Sequence, residues 1–330
     1  MKKFVFFPLF FITVSLFAES VPTWLNNLEK EFPSSDYIRA IGNGRTEKKA
    51  RADALSVLTM RFKTNVKTIN TAIQDLTLAT ENENSTFAKK QVLHQETEIA
   101  SDADLYCVQF TESFYNSKRK EYSVVGYIDK DSASKILKSK IEAVVSQIEN
   151  LKNLSLREKE PLYSLLYYQQ AKIYGEIARE YIDTAICINP LESDPYDENL
   201  RLIESIDSFI ANQKNKVTFS VECKNEDCIA LNSDVSYILS QSGFVLTTTE
   251  PMYKIIIDVA FSEEEYEAGE FVRPSVNIIV LNWEEKAVES YSKAYPRYGH
   301  RSMKNAYNLA IVRIGQDLDE NFLIAYRGFK

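Results

Sequence analysis

The sequence predicts an α+β protein, with two helix-on-antiparallel-sheet domains joined by a helical spacer. Three observations predict it. A strand-like run at 37–41 leads into a helix with apolar residues stepping by three and four, and further strand candidates follow. Residues 131–213 have helical spacing throughout, and from 216 a second series of strands begins and closes on a helix. The expected boundaries are an export signal at 1–18 and segments at 19–130, 131–213 and 214–330.

The signal comes first. Lys2 and Lys3 precede an apolar run from Phe4 to Phe17, followed by Ala18 and the first acid, Glu19. That is a charged region, a short apolar region and a small residue at a cut site, too short to cross a bilayer comfortably. Cleavage after Ala18 is expected, although Leu16 stands where a smaller residue is preferred, and an uncleaved anchor is the alternative. No cysteine follows to carry a lipid. The mature chain is therefore expected to be exported, periplasmic or peripherally associated with the outer membrane, with no integral span.

In the first domain, Tyr37–Ile41 reads as a strand and Gly42-Asn43-Gly44 as its turn. Ala50, Ala54, Leu58, Phe62, Val66, Ile69, Ile73 and Leu76 form one helical stripe, which must lie on a sheet. Strands are expected near 91–100, 105–115 and 121–128, the last two joined at Asn116-Ser117-Lys118. In the middle segment, Ile136 to Leu151 marks one helix, Asn153 to Pro161 break it, and a second with apolar residues on two faces runs to about Ile188. A third runs from Asn199 to Ala211. In the last domain, Val217–Val221 reads as a strand, and Asp234 as the cap of a helix that stops at Gly243. Strands at 244–248 and 253–261, a hairpin of 276–283 with 287–295, and a helix at 303–326 complete it.

Composition limits the function. The formal charge is −8, becoming −10 without Lys2 and Lys3, which argues against nucleic acid as a partner. Nineteen Tyr and 18 Phe against 9 Gly suit tyrosine-rich sheet, whether as core or as contact surface. Cys223 and Cys228 flank four residues after a strand, and an exported chain permits a disulfide there. The chain-entropy model gives such a short loop about 2 kcal/mol. Two free thiols are the alternative, and without a nearby His the pair lacks the makings of a zinc site.

Residues suited to catalysis are sparse. His94 reads as a strand residue and His300 as a turn residue. HExxH and G-x-S-x-G motifs are missing, and Gly42-Asn43-Gly44 has Glu47 where a dinucleotide fingerprint needs its third glycine. Glu263-Glu264-Glu265 lacks the alternating ligands of a calcium loop and reads as a solvated hairpin loop, and Lys118-Arg119-Lys120 as an exposed hairpin tip. No cofactor, metal or catalytic residue is assigned. The sequence reads as no enzyme, the exception being an unfamiliar type built on carboxylates such as Asp102 or Asp258.

Pro22-Thr23-Trp24-Leu25, Tyr37–Gly44, the alanines at 50, 52 and 54, and Tyr122–Asp129 with Ala133 together resemble the LPP-twenty family. That family comprises outer-membrane lipoproteins, and the domain is similar to the N-terminal part of flagellar assembly protein T. This chain departs from it in lacking the lipid-bearing cysteine. The last domain resembles the α+β modules of envelope assembly factors, including flagellar assembly protein T and curli-type secretion lipoproteins. The resemblance implies a non-enzymatic envelope protein acting through protein–protein contacts, in the assembly of a surface or flagellar structure. A glycan- or peptidoglycan-binding periplasmic protein is the alternative. Trp24, Trp283, Tyr295 and Tyr298 are the candidate contact residues, with aromatic core packing as the competing role for each.

Overall fold

In a computed structural model, residues 21–60, 107–190, 194–266 and 269–328 are described. The signal, the helical stripe from Phe62 onward, the strand at 91–100, His94 and Asp102 lie outside these residues. The fold is α+β. The described chain forms two units, 21–60 with 108–130, and 131–328 with Cys107.

The first unit holds β1 (Tyr37–Gly44), α1 (Glu47–Thr59), β2 (Gln109–Phe110), β3 (Phe114–Asn116) and β4 (Glu121–Asp129). β4 is central, with β1 antiparallel on one side from Tyr37 opposite Asp129 to Gly44 opposite Tyr122, and β2 and β3 on the other. Adjacent residues of a strand face opposite ways, so Val124 packs under Ala50 and Ala54 of α1 while Val125 packs on Trp24 and Phe32. β4 is therefore covered on both faces. Thr46 caps α1 by accepting the Lys49 N–H at 3.3 Å.

Two expectations differ here. β1 runs on through Gly42-Asn43-Gly44, which is strand and not turn; the glycines let α1 approach the sheet, since a Cβ on Gly42 would lie 2.1 Å from the Ala50 carbonyl oxygen. The strand expected at 105–115 is broken into β2 and β3. At the break the Thr111 hydroxyl accepts the Val125 N–H at 3.0 Å, in place of a regular ladder bond.

The second unit begins with α2 (Lys130–Arg157, from Asp131 onward), α3 (Pro161–Ile188) and α4 (Asp197–Lys216). Pro161 sits in the first turn of α3, where its missing N–H costs nothing. α3 is buried on more than one face, as its double stripe requires, and the Tyr168 ring stacks on Phe209 of α4 at 5.4 Å. Ser155 of α2 and Ser164 of α3 bond through their hydroxyls at 2.7 Å. These helices group with the second sheet in one unit.

That sheet contains β5 (Thr218–Cys223), β6 (Val245–Leu246), β7 (Tyr253–Tyr266), β8 (Gly269–Asn282), β9 (Ala287–Ala294) and β10 (Tyr298–His300), in the order β10-β8-β7-β5-β6 with β9 also on β8. α5 (Ile229–Gln241), α6 (Met303–Asn321) and the turn α7 (Ile324–Arg327) complete it. Its ladders are antiparallel except at β5, which runs parallel to β6 and β7 because α5 carries the chain back across the sheet. Along β7, Tyr253, Ile255, Ile257 and Val259 are buried, as period-two alternation predicts.

Local chemistry explains the departures. α5 starts at Ile229, so Asp234 is not its cap; its carboxylate lies against Gly315 of α6. Glu263-Glu264-Glu265 belongs to β7 and not to a loop. Phe261 packs on Tyr307 at 4.5 Å there, and Glu264 pairs with Arg273 and Arg297. β9 and β10 are separated where Pro274 of β8, which has no N–H, faces Tyr295, and Pro296 follows. No helix among the described residues is long and apolar enough to cross a membrane.

Candidate functional site

Tyr291, Lys293 and Tyr295 alternate on one face of β9, and all three converge on Asp317 of α6. The Tyr295 hydroxyl donates to Asp317 Oδ2 at 2.6 Å, and Asn321 Nδ2 adds a bond to Oδ1 at 3.0 Å. Burial opposes ionisation of Asp317, but the bonds from Lys293 and both tyrosines hold its carboxyl below the usual range. The carboxylate is spent on holding α6 to β9. Two residues before Tyr291, buried Glu289 accepts from the Tyr326 hydroxyl at 3.0 Å and so fastens α7.

The C-terminal turn is fastened again by Arg327, whose side chain is nearly fully buried. Its guanidinium donates to the Asp319 and Phe322 carbonyls at 2.9 and 3.0 Å and to the Ser242 hydroxyl at 2.9 Å. Arg327→Leu should lower stability by about 2–3 kcal/mol, because buried acceptors lose their donors. Denaturant titration measures that loss, and faster hydrogen exchange confined to 318–328 would locate it.

At the other end of β9, Asn282 organises the hairpin turn. Its Oδ1 accepts the Glu284 and Lys286 N–H groups at 3.0 and 3.1 Å, and its Nδ2 donates to Glu160 Oε2 at 3.1 Å. Glu160 also accepts from the Tyr253 hydroxyl, whose oxygen takes the Leu162 N–H at 3.0 Å. The turn is thus tied to the start of α3. Trp283 sits on it, 53% exposed, with its indole edge-on to Tyr253 at 6.5 Å. This is a rigidly mounted aromatic facing water, the form in which an aromatic anchors a contact with little entropy lost.

Trp24 and Tyr295 are in the core, 4% and 5% exposed, so neither offers its ring to a partner. Trp24 fills the space under Val125, and Tyr295 is committed to Asp317. Tyr298 is half-buried against Val272, Ala306 and Ala310. Trp283 alone of the four presents most of its ring. Cys223 and Cys228 form a disulfide, with Cα atoms 5.6 Å apart. Asp258 is paired with Lys224 at 2.6 Å, and His300 is exposed at the end of β10. No group of His, Cys, Asp or Glu able to hold a metal occurs among the described residues.

Neither a protein-family model nor a curated protein matches the chain. Among solved structures it is similar to a minor lipoprotein from Acinetobacter baumannii, at 14% identity and a TM-score of 0.27, over 32% of this chain and 87% of that one. It is also similar to a secreted protein from Helicobacter pylori, at 13% identity and a TM-score of 0.39, over 87% of this chain and 98% of that one.

Sequence reading missed Asp317, Glu289, Glu160 and Arg327. One signal was present: Tyr291, Lys293 and Tyr295 share a strand face, so a lysine falls between two core tyrosines and needs an acid opposite.

These groups set the pH response. Burial, aided by Glu289, Glu160 and Glu158, pushes Tyr163 up to about 12, and burial with the Glu263 bond does the same for Tyr307. Tyr253, Tyr291, Tyr295 and Tyr326 are raised too, by burial first and then by their carboxylate partners. A group raised on folding stabilises below its unfolded value, here 10.0, and that contribution is lost as pH climbs through the folded value. Lys214 goes the other way, lowered to about 8 by burial and then by Lys172 and Arg327. Between about 8 and its unfolded 10.5 the folded chain sheds a proton the unfolded chain keeps, so stability rises. Together these groups predict a slight gain above pH 8 and a steep loss above pH 10. Urea midpoints across that range would show it, and Lys214→Met should remove the gain alone.

Proposed function

We propose that the chain is an exported, non-enzymatic cell-envelope protein that acts by binding other proteins, in the assembly of a surface or flagellar structure. The observation that carries the binding is Trp283, an indole exposed on a turn that Asn282, Glu160 and Tyr253 hold in place. Export is supported by the signal read at 1–18 and by the Cys223–Cys228 disulfide, a bond that persists in oxidising compartments. A binding role without catalysis is supported by how the carboxylates are used: Asp317, Glu289 and Glu160 each join one layer to another.

Cell fractionation followed by mild crosslinking and partner identification tests this reading. Recovery of the chain in the envelope fraction, bound reproducibly to the same protein, is the expected result. Co-sedimentation with purified cell-wall sacculi in the absence of any protein partner would instead favour the glycan reading, in which Trp283 stacks on a sugar.

A further inference from the structure

The first unit carries its charge unevenly. Residues 21–60 and 108–130 hold ten Lys and Arg against eight Asp and Glu, in a chain whose formal charge is −8. The surplus lies at one end of the sheet. There β3 and β4 pair out to Asn116 opposite Glu121, and Ser117-Lys118-Arg119-Lys120 forms the tip between them. Gly44, the last residue of β1, stands opposite Tyr122, so Arg45 and the first turn of α1, with Lys48 and Lys49, arrive at the same end. All six cations are exposed. Among the described residues only Arg119 of the six has an ion pair, with Glu121 at 3.7 Å. Glu47, Glu112 and Glu121 are the acids of this end, and Glu47 accepts the Ser113 hydroxyl at 2.7 Å. Positive charge therefore outweighs negative there by two to one.

The tip has a defined backbone. Asn116 Oδ1 accepts the Lys118 and Arg119 N–H groups at 3.1 and 3.2 Å, and Lys120 closes the turn in the left-handed region at φ 54°. Glycine is unstrained at such a position, so the Lys120 charge is carried there at a conformational cost. Beside the tip lies an aromatic pair. Tyr115 is 42% exposed with its ring 4.9 Å from Tyr122, and Tyr122 packs toward Ala50 and Ala54 of α1. The two rings thus sit between the hairpin tip and the start of α1, with cations on both sides. Tyrosine has an apolar body and a polar end, which suits the boundary between headgroups and acyl chains. Lysine and arginine on long flexible side chains around a hairpin tip suit many mobile phosphates better than one fixed anion.

We propose that this end of the first unit docks on a bilayer surface bearing anionic phosphate headgroups. Lys118, Arg119 and Lys120 of the tip and Arg45, Lys48 and Lys49 beside it face the phosphates, and Tyr115 settles at the headgroup boundary. With a net charge of −8 the chain as a whole is repelled by such a surface, so docking requires a local surplus of this kind. The inference goes beyond the protein-binding reading and makes no use of Trp283, so a chain without a protein partner would still dock.

Co-sedimentation of the chain from Glu19 onward with lipid vesicles tests it. Vesicles of equal parts phosphatidylglycerol and phosphatidylcholine should pellet the chain, and vesicles of phosphatidylcholine alone should not. Raising the ionic strength from about 0.1 M to about 0.5 M should release it, because the Debye length shortens. Each cation near an anionic surface contributes about fivefold to partition. Lys120→Gly should therefore bind about fivefold more weakly, with a thermal midpoint equal to or above that of the parent because glycine relieves the left-handed backbone. Lys118→Ser with Arg119→Ser should lose about thirtyfold, whereas Lys135→Ser with Lys138→Ser, exposed on α2, should stay near the parent value. Failure to pellet with the phosphatidylglycerol vesicles would overturn the inference, and retention on immobilised polyglutamate in that case would assign this end to an acidic polypeptide. Equal pelleting with both kinds of vesicle, or equal losses from the tip pair and the α2 pair, would overturn it as well.

Discussion

Gly42→Ala is expected to cost the first unit about 3–4 kcal/mol, at the top of the range for overpacking and a large fraction of its stability. The added methyl would lie 2.1 Å from the Ala50 carbonyl oxygen and 2.3 Å from the Ala54 nitrogen. Both are backbone atoms of α1, so no rotamer change relieves the clash, and the helix must lift off β1. Lifting it opens the layer where Ala50, Ala54 and Val124 are buried and leaves Leu58 without its support. Gly126→Ala is the control. Its methyl would meet Leu58 Cδ1 at 3.1 Å and Phe110 Cε1 at 3.3 Å, which can yield, and Ala54 Cβ at 3.2 Å, which must give by a few tenths of an ångström, so about 1 kcal/mol is expected. Guanidinium titrations, with hydrogen exchange separating residues 37–59 from the rest, distinguish a local loss from a global one.

Asp317→Ala is expected to destabilise the second unit by about 3–4 kcal/mol. The carboxylate receives Tyr291, Tyr295, Lys293 and Asn321 at once, and its side chain is 16% exposed. Removing it strands two hydroxyls in the core and leaves a half-buried ammonium unpaired. A double change of Tyr291 and Tyr295 to Phe together with Asp317→Ala should recover part of that loss, because the stranded donors are removed as well. A full cycle of denaturation midpoints measures the coupling. Equal losses with and without the Phe substitutions would show that the tyrosine bonds contribute nothing.

Local chemistry was legible in the sequence wherever a decision depends on near neighbours. The helical stripe at Ala50, Ala54 and Leu58, the two-faced helix that ends at Ile188 and the hairpin tip at 117–120 follow from spacing among near neighbours. Period-two alternation places Tyr253, Ile255 and Ile257 on the core face. What escaped depends on groups far apart in the chain. The end of β1 was misplaced because glycine serves both a turn and a close helix approach, and only the position of Ala50 and Ala54 over Gly42 decides which. β5 being parallel follows from the path of α5, and the division of β9 from β10 from Pro274 standing opposite Tyr295. Aromatic type likewise does not reveal exposure. Trp24 and Tyr295 are buried because Val125 and Asp317 lie beside them, whereas Trp283 is carried outward by a turn that Asn282 folds.

The proposed protein contact anchored at Trp283 is tested by comparing the full chain with Trp283→Ala in crosslinked envelope extracts. A buried aromatic anchor contributes about 2 kcal/mol or more, so recovery of the partner should fall at least about tenfold while the thermal midpoint stays unchanged. Equal recovery by both chains, or no protein partner with either, would contradict it.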